Sequence, residues 1–283
     1  MKIGFIGAGK VGTALGQFFA NNGKHITGYT SRSEGAALAA SKLTSSTCYY
    51  DNTKGLLADS DMIFITVPDK EIKTAWEQIS TYDISAKIIC HCSGAISSEI
   101  FKNIETLGAC AYSIHPLAAV ANKKDSRVFT GKNFTIEGSP HNLEVVSAWL
   151  ESLPINVSVI STEHKVLYHA AAVVASNFMV ALADIAQELF LQSGFDNTAA
   201  ITSLMNSSAE NIRKRGVTDA ITGPIERNDI ETLNEHIKAL QHMDADIQQI
   251  YHHLSVRLLK IAKEKNKNTD YTKIESLLRG DNN

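Results

Sequence analysis

Two patterns of hydrophobic and polar positions divide the chain near residue 160. Before that point, short apolar runs alternate with segments in which apolar residues recur at helical spacing. The runs predict strands at 3–6, 25–30, 47–50, 62–67, 87–90, 110–114, 133–137 and 156–160. Strands that alternate with helices are typical of α/β domains. Residues 1–160 are therefore predicted to form a doubly wound, mostly parallel sheet with helices on both faces.

From residue 161 onward the pattern is helical, which predicts an all-α second domain over 161–283. Its first segment, 162–192, is apolar nearly all round, as expected of a helix buried by several neighbours. Polar residues interrupt this run, so a buried helix is favoured over a membrane span. Later helices are predicted from Asn197, Asp229 and Asp244. The polar tail from Lys263 is expected to be loosely held.

A glycine-rich turn follows the first strand and opens the first helix. Gly7, Gly9 and Gly12 have GxGxxG spacing, with Lys10 and Val11 inside the motif. In dinucleotide-binding domains such glycines permit the turn, let backbone N–H groups approach a pyrophosphate, and pack the helix on the strand. The βαβ context favours a Rossmann domain that binds a dinucleotide. The alternative is a glycine-rich turn in another kind of α/β domain.

The residues after the second strand indicate which dinucleotide binds. An NAD site places Asp or Glu near this point to accept the ribose 2′-OH. This chain instead has Ser31, Arg32 and Ser33. A guanidinium flanked by hydroxyls suits a 2′-phosphate, so NADP(H) is predicted over NAD(H). The alternative is that Arg32 is a solvated loop charge.

Three further strand ends carry small or polar residues. Val67 ends the fourth predicted strand and Pro68 and Asp69 follow it, Ser93 follows the fifth, and His115 follows the sixth. Ligands of open parallel sheets bind at the carboxyl ends of strands. Val67, Pro68 and Ser93 are therefore predicted to contact the cofactor, although ordinary loop chemistry gives the same residue types.

Composition narrows the class of protein without identifying it. The 283 residues are 44% hydrophobic and 20% charged, with a net charge of −3, so no general attraction to nucleic acid or anionic membrane is expected. Neither a secretory leader nor disulfide spacing is evident, which favours a reducing cytoplasm. Cys90, His91 and Cys92 are adjacent on a predicted strand and point to alternating faces, so no metal site is predicted.

Candidate catalytic groups lie in the helical half of the chain. Lys165 and His169 are four residues apart on the first long helix and share a face, with Tyr168 beside them and Asn177 farther along. A nicotinamide-dependent reductase needs a proton donor for the substrate and a group that orients it. Arg227, in a Gly-Pro loop, has a fork that could grip a substrate carboxylate.

Each of these residues also has a structural interpretation. Lys165 faces either a polar cleft or buried hydrogen-bond partners, and the cleft is favoured because a fully buried lysine is rare. His169 is equally well explained as a core histidine with satisfied hydrogen bonds. Arg227 could instead form a salt bridge to Glu226 or Asp229.

The motifs together resemble a known family. GFIGAGKVGTAL, VPD, HCSG, SIHPL, KxxYHAAAVVASN and GPIERNDxxTxxxH resemble bacterial Rossmann-like proteins that carry a C-terminal helical domain of unknown function. The layout is similar to ketopantoate reductases, β-hydroxyacid dehydrogenases and pyrroline-5-carboxylate reductases. The resemblance implies a homodimer formed through the helical domain.

The resemblance also implies an activity. In ketopantoate reductases and β-hydroxyacid dehydrogenases a Lys-x-x-x-Asn pair is catalytic; Lys165 matches that lysine, and His169 stands where the asparagine would be. Asn177 or Arg227 would then meet the substrate carboxylate. The predicted function is NADPH-dependent reduction of a small 2-oxo acid, with 2-dehydropantoate as the best single substrate. An imine reductase and a non-catalytic NADP-binding regulator remain as alternatives.

Overall fold

One sheet organises the N-terminal part of the chain. The computed structural model describes residues 1–123 and 125–280, and within those ranges eight strands lie in the order β3-β2-β1-β4-β5-β6-β7-β8. They are β1 (Lys2–Ile6), β2 (His25–Thr30), β3 (Thr47–Cys48), β4 (Met62–Ile65), β5 (Ile88–His91), β6 (Cys110–Pro116), β7 (Asn133–Gly138) and β8 (Asn156–Val159). Each neighbouring pair is parallel except β6 and β7. The predicted doubly wound, mostly parallel sheet is confirmed.

Contacts divide the chain into two units, Met1–Asn177 and Phe178–Asn283. The helices of the first unit are α1 (Lys10–Asn21), α2 (Glu34–Leu43), α3 (Thr53–Asp59), α4 (Asp69–Ile79), α5 (Leu143–Glu151) and α6 (Lys165–Ala175). The last strand ends at Val159, close to the predicted change from strands to helices. The first unit nevertheless continues through α6, which places Lys165 in the same unit as the sheet.

The central strand β4 is buried on both faces, as its unbroken apolar run predicts. Met62 and Phe64 belong to one hydrophobic cluster, and Ile63 and Ile65 belong to the other. The strand is shorter than predicted, because the chain turns at Thr66, whose hydroxyl donates to Gly7 O at 2.8 Å. This turn brings the end of β4 against the glycine motif that follows β1.

The antiparallel strand β7 brings a carboxylate into the sheet. In its register with β6, Glu137 lies opposite Ser113 and Thr135 lies opposite His115. Glu137 is buried, with 1% of its surface exposed. The charged end of an otherwise apolar strand therefore lies beside the polar end of β6.

The prediction of one buried helix over 162–192 is wrong in two respects. The segment forms a short 3₁₀ turn followed by α6 and then by α7 (Asn177–Gln192), with a break at Ser176. Much of it is exposed in the single chain: Leu167 is 71% exposed and Val180 is 73% exposed. Hydrophobic periodicity shows that all faces are apolar, but not whether residues of the same chain cover them.

By length and composition alone, Thr162–Gln192 is apolar enough to cross a membrane, since a stretch of 18 residues within it has a mean hydropathy of 1.7. Its first turn nevertheless belongs to the folded first unit, because Lys165 is 1% exposed and lies beside Glu137. The apolar composition of Thr162–Gln192 therefore does not show whether lipid or protein covers the residues after Lys165.

The second unit is helical in its described part. After α7 come α8 (Thr198–Ala220), α9 (Ile230–Leu240), α10 (Ala245–Lys265) and α11 (Thr272–Arg279). Gly216 kinks α8 with φ at +74°, close to its predicted end. Asp229 caps α9 by accepting from Thr232 N at 3.1 Å, and Asp244 precedes α10, so the predicted starts of these two helices are confirmed.

The tail after Lys263 is packed, not loosely held. Tyr271, Ile274 and Leu278 join the hydrophobic core of the second unit. The Tyr271 hydroxyl donates to Glu226 O at 2.7 Å, and Lys265 Nζ lies 2.9 Å from Glu226 Oε1. The apolar positions of one short amphipathic helix are enough to fix this polar segment against the loop that holds Arg227.

Candidate active site

The glycine motif lies where β1, the end of β4 and the start of α1 pack closely together. Gly7 has φ at +107°, and a Cβ there would lie 2.8 Å from the Thr66 backbone. A Cβ at Gly12 would lie 2.2 Å from Thr66 Oγ1. At Gly9, which precedes α1, the nearest atom would be 3.8 Å away. The first and third glycines are therefore required by close packing, and the second leaves the start of α1 open.

A cleft of about 450 Å³ opens at this turn. Six of the predicted cofactor residues line it: Gly7, Gly9, Ser31, Arg32, Val67 and Pro68. No side chain caps the start of α1, so its first N–H groups can meet an anion. An open helix start beside a cleft with an arginine at its edge fits a dinucleotide phosphate.

The other predicted cofactor residues do not line this cleft. Gly12 lies behind it against Thr66, Lys10 is exposed and Val11 is partly buried. Ser33 accepts from Ala36 N at 3.3 Å and so caps α2. Ser93 donates to Asp69 Oδ2 at 2.7 Å. Their local roles are structural, and their contact with a cofactor stays a prediction.

Arg32 has a partner within the cleft that the sequence does not reveal. Its Nη1 lies 3.5 Å from Glu71 Oε2, and both residues line the cleft. The arginine side chain is 81% exposed, and the glutamate side chain is 31% exposed. Arg32 is therefore largely solvated, as the alternative expects, but it has a partner, and Glu71 adds a negative charge where a 2′-phosphate is predicted.

The first helix after the sheet, α6, brings Lys165 into a buried polar cluster. The Lys165 Nζ lies 3.9 Å from Glu137 Oε1, and each side chain is 1% exposed. Among the described residues, Nζ has no hydrogen-bond partner. Burial lowers the pKa of Lys165, and the charge of Glu137 opposes this effect. The lysine side chain is buried beside a carboxylate, so the structure agrees with the alternative of a buried partner and not with the favoured polar cleft.

Lys165 is also one of the residues that line an open groove, although its Nζ is buried. The groove has a volume of about 570 Å³, and Ser97, Glu99, Thr162 and Glu163 contribute to its walls. All of the residues that line the groove belong to the first unit.

Tyr168 and His115 form a hydrogen-bonded pair next to this lysine. Tyr168 Oη lies 2.8 Å from His115 Nδ1, and the two rings meet edge to face. Burial, with the neighbouring charges of Lys165 and His169, lowers the pKa of His115 to about 4. Burial also raises the pKa of Tyr168. At neutral pH the pair therefore consists of a neutral imidazole and a protonated phenol.

His169 packs against the loop after β5. A Cβ on Gly94 would lie 2.5 Å from His169 Nδ1 and 3.0 Å from His115 Nε2. His169 Nδ1 is buried and has no hydrogen-bond partner among the described residues. The interpretation of His169 as a core histidine with satisfied hydrogen bonds is therefore wrong for this nitrogen.

The ends of β4, β5 and β6 meet because these strands are neighbours in the sheet. His91 is fully buried; its Nδ1 accepts from Ser93 N at 3.2 Å, and its Nε2 lies 3.2 Å from Ser97 O. Ser93 in turn donates to Asp69. His91 thus fixes the loop on which Gly94 contacts His169.

The remaining predicted site residues lie elsewhere. Asn177 is exposed at the start of α7. Arg227 is exposed in the loop before α9 of the second unit and, among the described residues, is not within ion-pair distance of Glu226 or Asp229. The Arg227 charge nevertheless adds, after hydrogen bonds from Lys265 and Thr232, to the lowering of the pKa values of Glu226 and Asp229. The interaction that the alternative describes is therefore weak and not a close ion pair, and the role of Arg227 toward a substrate stays a prediction.

Sequence reasoning did not single out Glu71 or Glu137, and it did not foresee the pairing of His115 with Tyr168. A signal was present for Glu137, because a carboxylate at the end of the apolar run NFTIEG needs a partner. The other contacts depend on strand order and register, which one sequence does not specify.

Two family models match separate parts of the chain. Residues 1–116 match a Rossmann-like domain, and residues 133–258 match a domain of unknown function, DUF2520. A search of curated proteins finds no match. The layout inferred from the motifs is confirmed.

Solved structures share the whole architecture. Protein TM1727 from Thermotoga maritima is 29% identical with a TM-score of 0.76, over 93% of this chain and 99% of that one. A candidate NADP oxidoreductase, BF3122 from Bacteroides fragilis, is 21% identical with a TM-score of 0.73, over 92% and 98%. An imine reductase from Pseudomonas sp. is 15% identical with a TM-score of 0.61, over 93% and 97%. The chain thus joins a Rossmann-like domain to a DUF2520 domain, in a fold that it shares with an imine reductase.

Proposed function

We propose that this protein is an NADPH-dependent reductase of a small 2-oxo acid, with 2-dehydropantoate as the best single substrate. The observation that carries the proposal is the Lys165 cluster: α6 supplies a buried ammonium, a phenol and an unpaired imidazole nitrogen at the strand ends of a unit that also contains the glycine turn. The fold shared with an NADP oxidoreductase candidate and an imine reductase supports reductase chemistry.

The residues of the cleft fit NADPH. Gly7 and Gly12 pack so closely against Thr66 that a side chain at either position would clash with it. Gly9 leaves the start of α1 open, and Arg32 supplies a cation at the edge of the cleft. When bound, NADPH supplies a hydride from its nicotinamide C4 to the carbonyl carbon of the substrate. The protein must then stabilise and protonate the substrate oxygen.

Lys165 is the proposed proton donor. Its ammonium group is held in a buried site next to a carboxylate, where a cation stabilises a developing alkoxide more strongly than it would in water. His169 assists by presenting its unpaired Nδ1. Tyr168, hydrogen-bonded to a neutral His115, is a second protonated group beside them. Arg227 or Asn177 is proposed to bind the substrate carboxylate.

Replacement of the proposed donor tests this function. Purified protein is assayed with NADPH and a panel of 2-oxo acids that includes 2-dehydropantoate, and oxidation of NADPH is followed by its absorbance. Lys165→Met is expected to lower kcat by roughly 100-fold to 10,000-fold, the usual contribution of general acid catalysis. An unchanged kcat would contradict the role of Lys165. If none of the tested substrates causes the wild-type protein to oxidise NADPH, the result supports a non-catalytic NADP-binding regulator.

A second candidate function is reduction of a cyclic imine. Glu99 and Glu163 line the groove next to Lys165. Two carboxylates there favour a cationic iminium group over the anionic 2-oxo acid group. The shared fold with an imine reductase supports the same reading. Pyrroline-5-carboxylate in the same assay distinguishes the two: reduction of the imine without reduction of any keto acid favours this candidate.

We further propose that the protein works in the cytoplasm as a homodimer through its helical unit. Large apolar side chains are exposed along α7 and α8, including Phe178, Val180 and Leu204, and a second copy offers the same apolar surface. Light scattering after gel filtration is expected to give twice the monomer mass. Val180→Glu is expected to shift the protein to monomer, and a wild-type monomer would contradict the dimer.

A further inference from the structure

The carboxylate of Glu137 accepts three hydrogen bonds from two other segments of the chain. Its Oε1 accepts from Ser98 N at 2.7 Å, and its Oε2 accepts from Ser98 Oγ and Thr162 Oγ1, each at 2.9 Å. Ser98 lies in the connection between β5 and β6, and Thr162 lies just before α6. One side chain on β7 therefore ties together the two segments that surround Lys165.

Lys165 needs such a partner. Its side chain is 1% exposed, and its Nζ has no hydrogen-bond partner among the described residues. A buried ammonium without a counter-charge is expensive, and the usual response is loss of its proton. Burial lowers the pKa of Lys165, and the first opposing cause is the Glu137 carboxylate.

The other titratable groups near Lys165 do not replace this carboxylate. They are His91 on β5, Cys92 after it, His115 on β6 and Asp69 at the start of α4. Burial lowers the pKa values of both histidines to about 4, so they are neutral at neutral pH, and burial raises the pKa of Cys92 to about 12, so its thiol is neutral too. Asp69 accepts from Ser93. Among the described carboxylates, only Glu137 lies within 4.0 Å of Nζ.

We propose that Glu137 is the positioning residue of this site: its fixed carboxylate holds the Lys165 side chain in place and keeps its amine protonated inside the protein. This inference deepens the proposed function, since a proton donor must carry its proton at working pH. The part of the proposal that concerns the charge of Lys165 can be tested without a substrate.

The direct test is an NMR titration of the lysine. Protein labelled with ¹³C at lysine Cε is titrated with base, and the Lys165 signal is assigned by its absence from Lys165→Met. In Glu137→Gln the amine is expected to titrate about 1–3 pH units lower than in the wild type, because an opposite charge at this distance has been removed. Glu137→Asp, which retains the carboxylate, is expected to restore most of the shift.

Glu151→Gln is the matched control for the loss of a carboxylate. Glu151 is exposed on α5, so its replacement is expected to leave the Lys165 titration unchanged. An unchanged Lys165 titration in Glu137→Gln, with signals that show a folded protein, would overturn the proposal.

The pH dependence of turnover gives the catalytic readout. A donor lysine is active below its pKa. The kcat of Glu137→Gln is therefore expected to fall at a pH about 1–3 units lower than the kcat of the wild type. At acid pH, where the amine is protonated in both proteins, the two kcat values should differ less. If wild-type protein shows no turnover while the amine shift is observed, the proposed function fails and the role of Glu137 stands. If turnover is robust and neither quantity moves, the role of Glu137 fails alone.

A second pair of variants covers the case in which Glu137→Gln folds poorly. Removal of one partner leaves the other charge buried, whereas removal of both does not. Glu137→Gln/Lys165→Met is therefore expected to melt at a higher temperature than Glu137→Gln alone. A double variant that melts at or below the single variant would contradict a charge interaction between these two residues.

Discussion

Arg32 Nη1 lies 3.5 Å from Glu71 Oε2 at the edge of the glycine-turn cleft. The pair joins the residue after β2 to the first turn of α4, and both side chains line the same cleft. An incoming 2′-phosphate would compete with Glu71 for the guanidinium. Glu71 is therefore expected to weaken the predicted 2′-phosphate site at Arg32.

Removal of this competing carboxylate is expected to strengthen NADPH binding. Glu71→Gln should lower the Kd for NADPH by about twofold to fivefold, the size expected for a partly exposed ion pair, and leave that for NADH unchanged. Fluorescence titration measures both constants. Glu77→Gln is the control, because Glu77 pairs with Lys73 on the same helix and does not line the cleft. Weaker NADPH binding in Glu71→Gln would show that Glu71 helps to hold the cofactor.

Replacement of Arg32 tests the choice between the two cofactors. Arg32→Asp is expected to raise the Kd for NADPH by roughly tenfold to 100-fold, because a charge-assisted contact is lost and a like charge is introduced. Binding of NADH should be no weaker, since an acid at this point can accept the ribose 2′-OH. An equal loss for both cofactors would indicate that Arg32 does not meet the 2′-phosphate.

Gly94 is expected to be intolerant of a side chain. A Cβ at this position would lie 2.5 Å from His169 Nδ1, so Gly94→Ala should displace the imidazole and lower kcat by roughly tenfold to 100-fold. Gly35→Ala is the matched control, because nothing lies within 4 Å of a Cβ there. If both variants retain full turnover, the position of His169 is not important for the reaction.

Buried His91 is expected to make the fold sensitive to acid. Burial lowers its folded-state pKa to about 4, below the value of about 6.5 in an unfolded chain. The folded state therefore binds fewer protons than the unfolded state between these values, so the stabilising contribution is complete above about pH 6.5 and is lost as the pH falls toward 4.

Urea unfolding at pH 7.5 and pH 5 measures this effect. The wild-type protein should lose about 2 kcal/mol more unfolding free energy on this change than His91→Gln, which has no imidazole to protonate. Equal losses in the two proteins would mean that His91 titrates normally in the folded state.

The sequence was sufficient for the features that depend on local pattern. Alternating strands and helices, the glycine turn and the start of α9 at Asp229 follow from periodicity and capping, which act over a few residues. The break at Ser176 and the exposure of Val180 could not be read in this way, because an apolar helix does not reveal which molecule covers it.

In the candidate site, too, local features could be predicted from the sequence and long-range contacts could not. Lys165 and His169 could be singled out because they interrupt an apolar helix. Their partners Glu137 and Gly94 are distant in sequence and reach them only through the strand order and the antiparallel register of β7. Burial of Lys165 was the less favoured alternative, because the carboxylate that makes it tolerable is 28 residues away in the sequence.

The central claim is that the glycine-turn cleft binds NADPH. It is tested most directly by titration of the purified protein with NADPH, followed by the fluorescence of the bound nicotinamide. The account predicts saturable binding with a Kd in the range of about 1 μM to 1 mM, as for ordinary reductases, and weaker binding in Arg32→Asp. Absence of binding at millimolar NADPH would contradict it.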